Sequence, residues 1–272
     1  MNKIDLTFQR LKNKGRAALI PFVIAGDPTL EITEALVLRM AECGADMIEI
    51  GVPFSDPLAD GPTIQAASQR ALMKGINIRD IFSMTKKLKG LAQPLILMTY
   101  FNPIFRYGLK AFAVECKENE IDGVIIPDLP PEEAEPWVKE ARASEVDTIF
   151  LVGPTSPPER IKQISRWSRG FIYYVSVTGV TGVRGNLSEE LESAVRQIKE
   201  LSRKPVSVGF GISTPQQVKE VSRFADGVIV GSAIVKIIED YMESPDLITR
   251  VGDFVLSLSN ALKSSGREGH PE

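Results

Sequence analysis

The sequence predicts a closed (β/α)8 barrel, or TIM barrel, and three observations support this fold class. Eight short apolar runs, rich in β-branched residues and nearly continuous in hydrophobicity, recur along the 272 residues, as expected for parallel strands buried on both faces. Segments with helical spacing separate these runs. No G-x-G-x-x-G motif follows the first run, which counts against the alternative, an open doubly wound sheet.

The predicted strands are Leu19–Ile24, Asp46–Ile50, Leu95–Thr99, Gly123–Pro127, Thr148–Val152, Phe171–Ser176, Val206–Phe210 and Gly227–Gly231. Helical spacing predicts helices at Leu30–Cys43, Gly108–Asn119, Pro131–Ala143 and Ala233–Tyr241, and Thr214 with Gln217 fits a helix start. Two further helices are expected. An amphipathic segment at Ile4–Lys12 would cover the barrel floor, and Thr63–Met73 would fill the longer gap after the second strand.

No internal Ser/Gly linker divides the chain, so residues 1–264 are expected to form one domain and residues 265–272 a disordered tail. The net charge of −3 provides no basic field for nucleic acid or an anionic membrane. Cys43 and Cys116 are expected to be reduced thiols. The N-terminus lacks an apolar signal region and no run approaches a membrane span, so a cytoplasmic location is expected.

The single histidine, His270, lies in the predicted tail. A histidine-based triad and a histidine-ligated metal site are therefore excluded, and no metal is expected. No lysine ends a predicted strand, which argues against a Schiff-base aldolase. Proton transfer must then fall to Asp, Glu, Lys, Tyr or Cys side chains.

The segment from Glu49 to Asp60 contains the strongest candidates for this chemistry. Glu49 lies on an apolar strand, where alternation places it on the same face as Met47, and a loop rich in proline and glycine leads on to Asp60. Burial would raise the pKa of Glu49 into a useful range, and two such acids can transfer protons in opposite directions. The alternatives are a salt-bridged carboxylate at Glu49 and a simple turn residue at Asp60.

Glycines mark a second kind of site. Gly209-Phe210-Gly211 follows the seventh predicted strand, and Gly231-Ser232 follows the eighth and opens a helix. These loops form the usual phosphate site of this fold, and backbone N–H groups there bind phosphate without net positive charge. The segment 176–186 is long and polar and is expected to be a lid over the site. Tight turns and a plain surface loop are the alternatives.

Five segments together resemble the tryptophan synthase alpha chain family, over nearly the whole chain and in the family's order: IEIGVPFSDPLADGP, GVIIPDLP, YYVSVTGVTG, GFGIS and GSAIVKII. The resemblance implies a lyase that cleaves indole-3-glycerol phosphate to indole and glyceraldehyde 3-phosphate by a retro-aldol reaction. Neither a metal nor an organic cofactor is implied for this chain.

The resemblance also implies roles for individual residues. Glu49 would be the principal acid–base group, Asp60 would bind the indole N–H, and Tyr173 would orient Glu49. The indole slot would be formed by Phe22, Met98, Ile125, Leu151, Phe210 and Ile229, the phosphate site by Gly182, Gly211, Gly231 and Ser232, and the lid would include Thr181.

A beta chain that carries pyridoxal phosphate is the partner that the resemblance implies, in an alpha2beta2 heterotetramer. The contact positions would be Pro53, Asp56, Pro57 and Pro130. Two alternatives stay open at this point. One is a catalytically weak subunit that acts mainly as the allosteric partner of a beta chain, and the other is a different phosphate-binding barrel, such as a sugar-phosphate isomerase.

Overall fold

A computed structural model of the chain describes residues 2–175, 186–209 and 211–264. Eight parallel strands pair in chain order, and the first pairs with the last, which confirms the predicted closed barrel. The strands are β1 Ala18–Ile24, β2 Ile48–Gly51, β3 Leu95–Met98, β4 Ile121–Ile125, β5 Asp147–Val152, β6 Ile172–Val175, β7 Val206–Gly209 and β8 Gly227–Val230. The predicted strand ends Ser176 and Phe210 and the predicted tail 265–272 lie outside the described residues.

The helices of the described part lie around and below this barrel. They are α1 Lys3–Asn13, α2 Leu30–Glu42, α3 Pro62–Met73, α4 Ile78–Thr85, α5 Phe101–Tyr107, α6 Leu109–Glu118, α7 Glu135–Ala143, α8 Pro158–Trp167, α9 Asn186–Leu201, α10 Pro215–Val221, α11 Ser232–Tyr241 and α12 Leu247–Lys263. Short 3-10 turns occupy Lys86–Leu88 and Pro131–Glu133. The capping box predicted at Thr214 and Gln217 is present.

Alternation along the strands separates two apolar layers. On β2, Ile48 and Ile50 pack outward against the helices, whereas Met47, just before the strand, belongs to a cluster inside the barrel with Ile96 and Ile149. Side chains on a strand point alternately to its two faces. Glu49 therefore shares the inward face with Met47, as the sequence predicts.

The predicted N-terminal helix closes the barrel floor. Asn2 caps α1 by accepting the Ile4 N–H at 2.8 Å. Ile4 and Phe8 from α1 are buried in the interior cluster, and the Phe8 ring meets Phe171 edge-on with 5.7 Å between ring centroids. Because the floor is filled with side chains, the opposite end of the barrel is the end available for a ligand.

Two helix predictions differ from the structure. The segment predicted as one helix from Pro131 to Ala143 is a 3-10 turn, Pro131–Glu133, followed by α7 from Glu135. Pro136 explains the break, because a proline lacks the N–H that a helix interior needs but is tolerated in the first turn. The long gap after β2 holds α3 and also α4, which begins with a capping box between Asn77 and Asp80.

An ion-pair network ties α3 to the top of the barrel. Arg70 of α3 donates two 2.8 Å hydrogen bonds, from Nε and Nη2, to the two carboxylate oxygens of Asp27 in the loop after β1. Its Nη1 donates to Glu239 of α11 at 3.1 Å. Asp27 is only 1% exposed. A bidentate arginine satisfies this buried charge and fixes α3 relative to both neighbouring elements.

Candidate active site

A cavity of about 260 Å³ opens at the carboxyl ends of the strands. Its wall includes the last residues of β3, β4 and β6, which places it at the face where (β/α)8 barrels hold their chemistry. The lining residues are Phe22, Glu49, Ala59, Asp60, Gly61, Ile64, Met98, Ile125, Pro127, Leu151, Gly153, Tyr173, Val175, Gly211, Ile229, Gly231 and Ser232.

Glu49 is a buried carboxyl group in the wall of this cavity. It lies on β2 beside Phe22 of β1, is 1% exposed, and its Oε2 atom has no hydrogen-bond partner among the described residues. Burial raises the pKa of Glu49 to about 8, and the negative charge of Asp60 adds to the rise. The salt-bridge alternative for Glu49 finds no support, because no cation pairs with it in the described part of the chain.

Gly51 shows how closely the strands approach around Glu49. A Cβ atom at Gly51 would lie 2.5 Å from Ile24 Cδ1 and 2.7 Å from Phe22 Cζ. Real Cβ atoms do not come this close to another atom, so glycine is required for β1 and β2 to keep both side chains in place. The Phe22 ring can then lie in the cavity beside Glu49.

Asp60 enters the cavity from the loop between β2 and α3. Its N–H donates to the Pro57 carbonyl oxygen at 3.0 Å, and its own carbonyl oxygen accepts from the Gln65 side chain at 2.8 Å. Gly61 and Pro62 then begin α3. Burial raises the pKa of Asp60 to about 6, while a hydrogen bond from Tyr100 opposes this rise. The residue is therefore both a turn residue and a half-buried acid.

The two carboxyl groups have different preferred states near neutrality. With a pKa of about 8, Glu49 holds its proton at pH 7, whereas Asp60, at about 6, is mostly ionised. The charge of ionised Asp60 disfavours ionisation of Glu49, so Asp60 loses its proton first and Glu49 at higher pH. Glu49 and Asp60 thus form a proton donor and a fixed negative charge in one apolar cavity.

Tyr173 lies on β6 and lines the same cavity. Burial raises the pKa of its hydroxyl well above the usual value, and Glu49 and Asp60 add to the rise, so the phenol stays neutral. A Cβ atom on Gly209 of the neighbouring β7 would lie 2.3 Å from the Tyr173 hydroxyl oxygen. The glycine at 209 therefore leaves the space that the tyrosine occupies.

The apolar slot is assembled from strands distant in sequence. Five of the six predicted slot residues, contributed by β1, β3, β4, β5 and β8, line the cavity: Phe22, Met98, Ile125, Leu151 and Ile229. The sixth, Phe210, lies outside the described residues. The structure adds Ile64 of α3 to this wall. Its position could not be read from strand ends, because it depends on how α3 folds back over the barrel.

The predicted phosphate residues Gly211, Gly231 and Ser232 all line the cavity. Gly211 adopts a positive φ of 73°, which favours glycine. Gly231 precedes α11 as its N-cap, and Ser232 is the first residue of that helix. An anion at this position would meet the helix N-terminus. Thr181 and Gly182, predicted for the lid and the phosphate site, lie outside the described residues.

Tyr100 is a site residue that the sequence analysis did not identify. It follows β3, is 3% exposed, and its hydroxyl donates to Asp60 Oδ2 at 3.0 Å and accepts the Ala59 N–H at 3.0 Å. A tyrosine two residues beyond a strand end is visible in the sequence. Its partner Asp60 cannot be identified from the sequence, because the loop between β2 and α3, called the acid loop below, approaches Tyr100 only in the folded barrel.

The predicted partner positions differ in exposure. Asp56 is exposed, Pro57 and Pro130 are half-buried, and Pro53 is buried within the chain. Pro53 therefore offers little surface for contact. Leu58, which the sequence analysis did not select, is 93% exposed at the tip of the same loop. Among the large apolar side chains of the described residues, Leu58 is the most exposed.

Within the described ranges, no three His, Cys, Asp or Glu side chains cluster in a way that could hold a metal ion. None of the helices described here is both long enough and apolar enough to cross a membrane.

Fold and site together define a class: a (β/α)8 barrel with two carboxyl groups, an apolar slot and a helix N-terminus at one cavity. The sequence profile described as "Tryptophan synthase alpha chain" matches residues 8–261. The chain belongs to the tryptophan synthase alpha chain family, and it is a carbon–carbon lyase of tryptophan biosynthesis.

Individual relatives agree with this assignment. The chain is 48% identical to the tryptophan synthase alpha chain of Geobacter sulfurreducens over 96% of this chain and 99% of that one. It is also 48% identical to the alpha chain of Arabidopsis thaliana over 95% and 94% of the two chains.

Solved structures show the same fold. The tryptophan synthase alpha subunit of Legionella pneumophila superimposes with a TM-score of 0.91 at 39% identity, covering 97% of this chain and 99% of that one. A chain from the structure of Mycobacterium tuberculosis tryptophan synthase gives a TM-score of 0.88 at 35% identity, with 96% and 98% coverage.

Proposed function

We propose that Glu49 and Asp60 catalyse the retro-aldol cleavage of indole-3-glycerol phosphate in the cavity described above. The observation that carries the proposal is the placement of two carboxyl groups with raised pKa values, about 8 and about 6, in the wall of one largely apolar cavity. A carbon–carbon bond to an aryl carbon breaks only after that carbon is protonated, so an acid that is protonated near neutrality is required.

The cavity has complementary parts for the two ends of this substrate. The flat indole ring would lie between the apolar side chains of the slot, with Phe210 completing it. The phosphate would bind the backbone N–H groups around Gly211, Gly231 and Ser232, together with Gly182. A lid that includes Thr181 would exclude water during the reaction.

Glu49 would transfer a proton in each direction during one turnover. Protonated Glu49 first donates its proton to the indole ring carbon that bears the side chain, and the ring becomes cationic. The resulting carboxylate then removes the proton of the side-chain hydroxyl while the carbon–carbon bond breaks, and the bonding electrons return to the ring. Indole and glyceraldehyde 3-phosphate result, and Glu49 is protonated again.

Asp60 would stabilise the cationic intermediate. Its ionised carboxylate would accept the indole N–H, which carries positive charge after protonation, and such a charge-assisted hydrogen bond is stronger in an apolar site. Tyr173, which lines the cavity with Glu49, would limit the orientations of that side chain. No step requires a metal or an organic cofactor in this chain.

The partner proposed for this chain is a pyridoxal-phosphate-dependent beta chain, in an alpha2beta2 heterotetramer in the cytoplasm, with residues 1–264 acting as one domain. Asp56, Pro57 and Pro130 would form part of the contact, and the exposed Leu58 extends the same surface. Because Asp60 belongs to the loop that carries Leu58, contact with a partner there would alter the position of a catalytic group.

The test is the Glu49→Gln variant assayed with indole-3-glycerol phosphate. Loss of acid–base catalysis should lower kcat by about 10²–10⁴-fold. Glu118→Gln, which changes an exposed acid on α6, is the matched control and should keep wild-type activity. Wild-type kcat/KM should show a bell-shaped pH dependence with limbs near the two carboxyl pKa values. Unchanged turnover in Glu49→Gln would remove Glu49 from the mechanism.

Two other functions would give different results. A subunit that only activates a beta chain would release no indole, either alone or with that chain added. A sugar-phosphate isomerase would be protected against heat by glycerol phosphate but not by indole, because a ligand stabilises only a protein that binds it. The presence of both acids in the wall of an apolar slot favours the lyase.

A further inference from the structure

Tyr100 joins the loops that follow three neighbouring strands. It lies after β3, its hydroxyl contacts Ala59 and Asp60 in the loop after β2, and the next residue, Phe101, donates its N–H to the Asp128 carboxylate after β4 at 2.8 Å. The side chain is buried but does not line the cavity. Any effect of Tyr100 on the reaction must therefore pass through another residue.

The ring of Tyr100 is held in one orientation. Phe54, also in the acid loop, stacks on it with 4.8 Å between ring centroids and 21° between the ring planes. The Ala59 N–H occupies one lone pair of the hydroxyl oxygen, so the hydroxyl hydrogen is directed to its other partner, Asp60 Oδ2. A donor held in this way restricts the position of the carboxylate that it binds.

Asp60 needs such a donor because its own loop does little to fix the position of its carboxylate. The turn from Asp56 to Asp60 is closed by backbone hydrogen bonds, Leu58 N–H to Asp56 and Asp60 N–H to Pro57, which fix the chain but not the carboxylate. Burial works against the ionised form of this group, whereas the Tyr100 hydrogen bond favours it and lowers the pKa of Asp60. The same hydroxyl thus both places the carboxylate and favours its charge.

We propose that Tyr100 is a positioning residue for the cleavage reaction, whose hydroxyl holds the Asp60 carboxylate where it accepts the indole N–H. This inference rests on the proposed function and adds a residue to its machinery. Tyr100 contacts no substrate in this arrangement, since it stands behind Asp60 as seen from the cavity. Its contribution is to the orientation and ionisation of Asp60, and the loss of comparable supporting partners at metal sites costs about 10–100-fold in affinity or activity.

The experiment compares Tyr100→Phe with wild type and with Tyr107→Phe. In the control, too, a hydroxyl that donates to a carboxylate is lost, since Tyr107 on α5 donates to Glu115 Oε2 on α6 at 3.4 Å. Neither residue lines the cavity. Tyr100→Phe should lower kcat about 10–100-fold, as expected for a hydrogen bond to a charged group. Binding of glycerol 3-phosphate, which does not involve Asp60, should change less than about twofold.

A double-mutant cycle separates positioning from general damage. In an Asp60→Asn background, Tyr100→Phe should cause less than about a twofold further loss, because the group that it positions is no longer a carboxylate. In Tyr100→Phe alone, the apparent pKa of the acid limb of the kcat/KM pH profile should rise by about one unit, because a hydrogen bond to the ionised form of Asp60 is removed. If Tyr100→Phe is too unstable to assay, Phe54→Leu, which frees the ring but keeps the hydroxyl, should shift the acid limb in the same direction.

Failure of this inference can be told apart from failure of the proposed function. An equal loss in both backgrounds, or an unchanged acid limb, overturns the role of Tyr100 while leaving the lyase intact. If wild-type protein cleaves no indole-3-glycerol phosphate, the proposed function fails. Carboxyl ¹³C NMR titration of Asp60 then decides the Tyr100 question alone, because only a raised Asp60 pKa in Tyr100→Phe supports it.

Discussion

Replacing Glu49 with glutamine should make the protein more stable, and the gain should grow with pH. The folded protein holds Glu49 with a pKa of about 8, against an ordinary value of 4.5. A group whose pKa is raised on folding binds its proton more tightly in the folded state. Its contribution to stability is complete below the unfolded pKa and is lost as pH rises through the folded one. Glutamine does not ionise, so the variant does not lose stability in this way as pH rises.

The size of the effect follows from the two pKa values. Each unit of difference corresponds to about 1.4 kcal/mol. Because Glu49 ionises in the unfolded state, the unfolding free energy of the wild type should fall as pH rises. Relative to its plateau below about pH 4, it should be lower by roughly 3 kcal/mol at pH 7 and by nearly 5 kcal/mol at about pH 9. Glu49 Oε2 has no partner among the described residues, so any unmet hydrogen bond of the glutamine adds an offset that does not vary with pH.

The assay is denaturant unfolding of both proteins between about pH 5 and pH 9, with two independent probes to check two-state behaviour. The difference in unfolding free energy between Glu49→Gln and wild type should increase with pH over this range. Glu118→Gln, an exposed control, should give a small difference without a slope. A pH-independent difference for Glu49→Gln would show that Glu49 has an ordinary pKa, and would refute the burial on which its proposed catalytic role depends.

Two further predictions concern residues that support the site. Gly209→Ala should lower kcat/KM with a modest loss of stability, because a Cβ 2.3 Å from the Tyr173 hydroxyl must displace that ring. Steady-state kinetics and thermal melting measure the two effects, and an unchanged kcat/KM would contradict the prediction. Arg70→Gln should destabilise the protein by about 3–5 kcal/mol, since it leaves the buried Asp27 carboxylate without its ion pair. Denaturant unfolding measures this, and recovery in Arg70→Gln/Asp27→Asn would confirm the cause.

Local patterns account for much of the fold and of the site. Continuous apolar runs identify strands buried on both faces, and side-chain alternation along β2 is enough to place Glu49 on the inward face. Two of the helix predictions differed from the structure. Pro136 divides the segment 131–143, and α4 escaped notice although Asn77 and Asp80 carry its cap.

The chain by itself determined the barrel class, the inward face of Glu49 and the glycines at the ends of β7 and β8, because strand period and turn chemistry act over a few residues. Only the tertiary structure decided that Tyr100 would contact Asp60, that Ile64 would join the slot and that Pro53 would be buried. These outcomes depend on loops from different strands meeting above the barrel, where distances are set by packing between segments far apart in sequence.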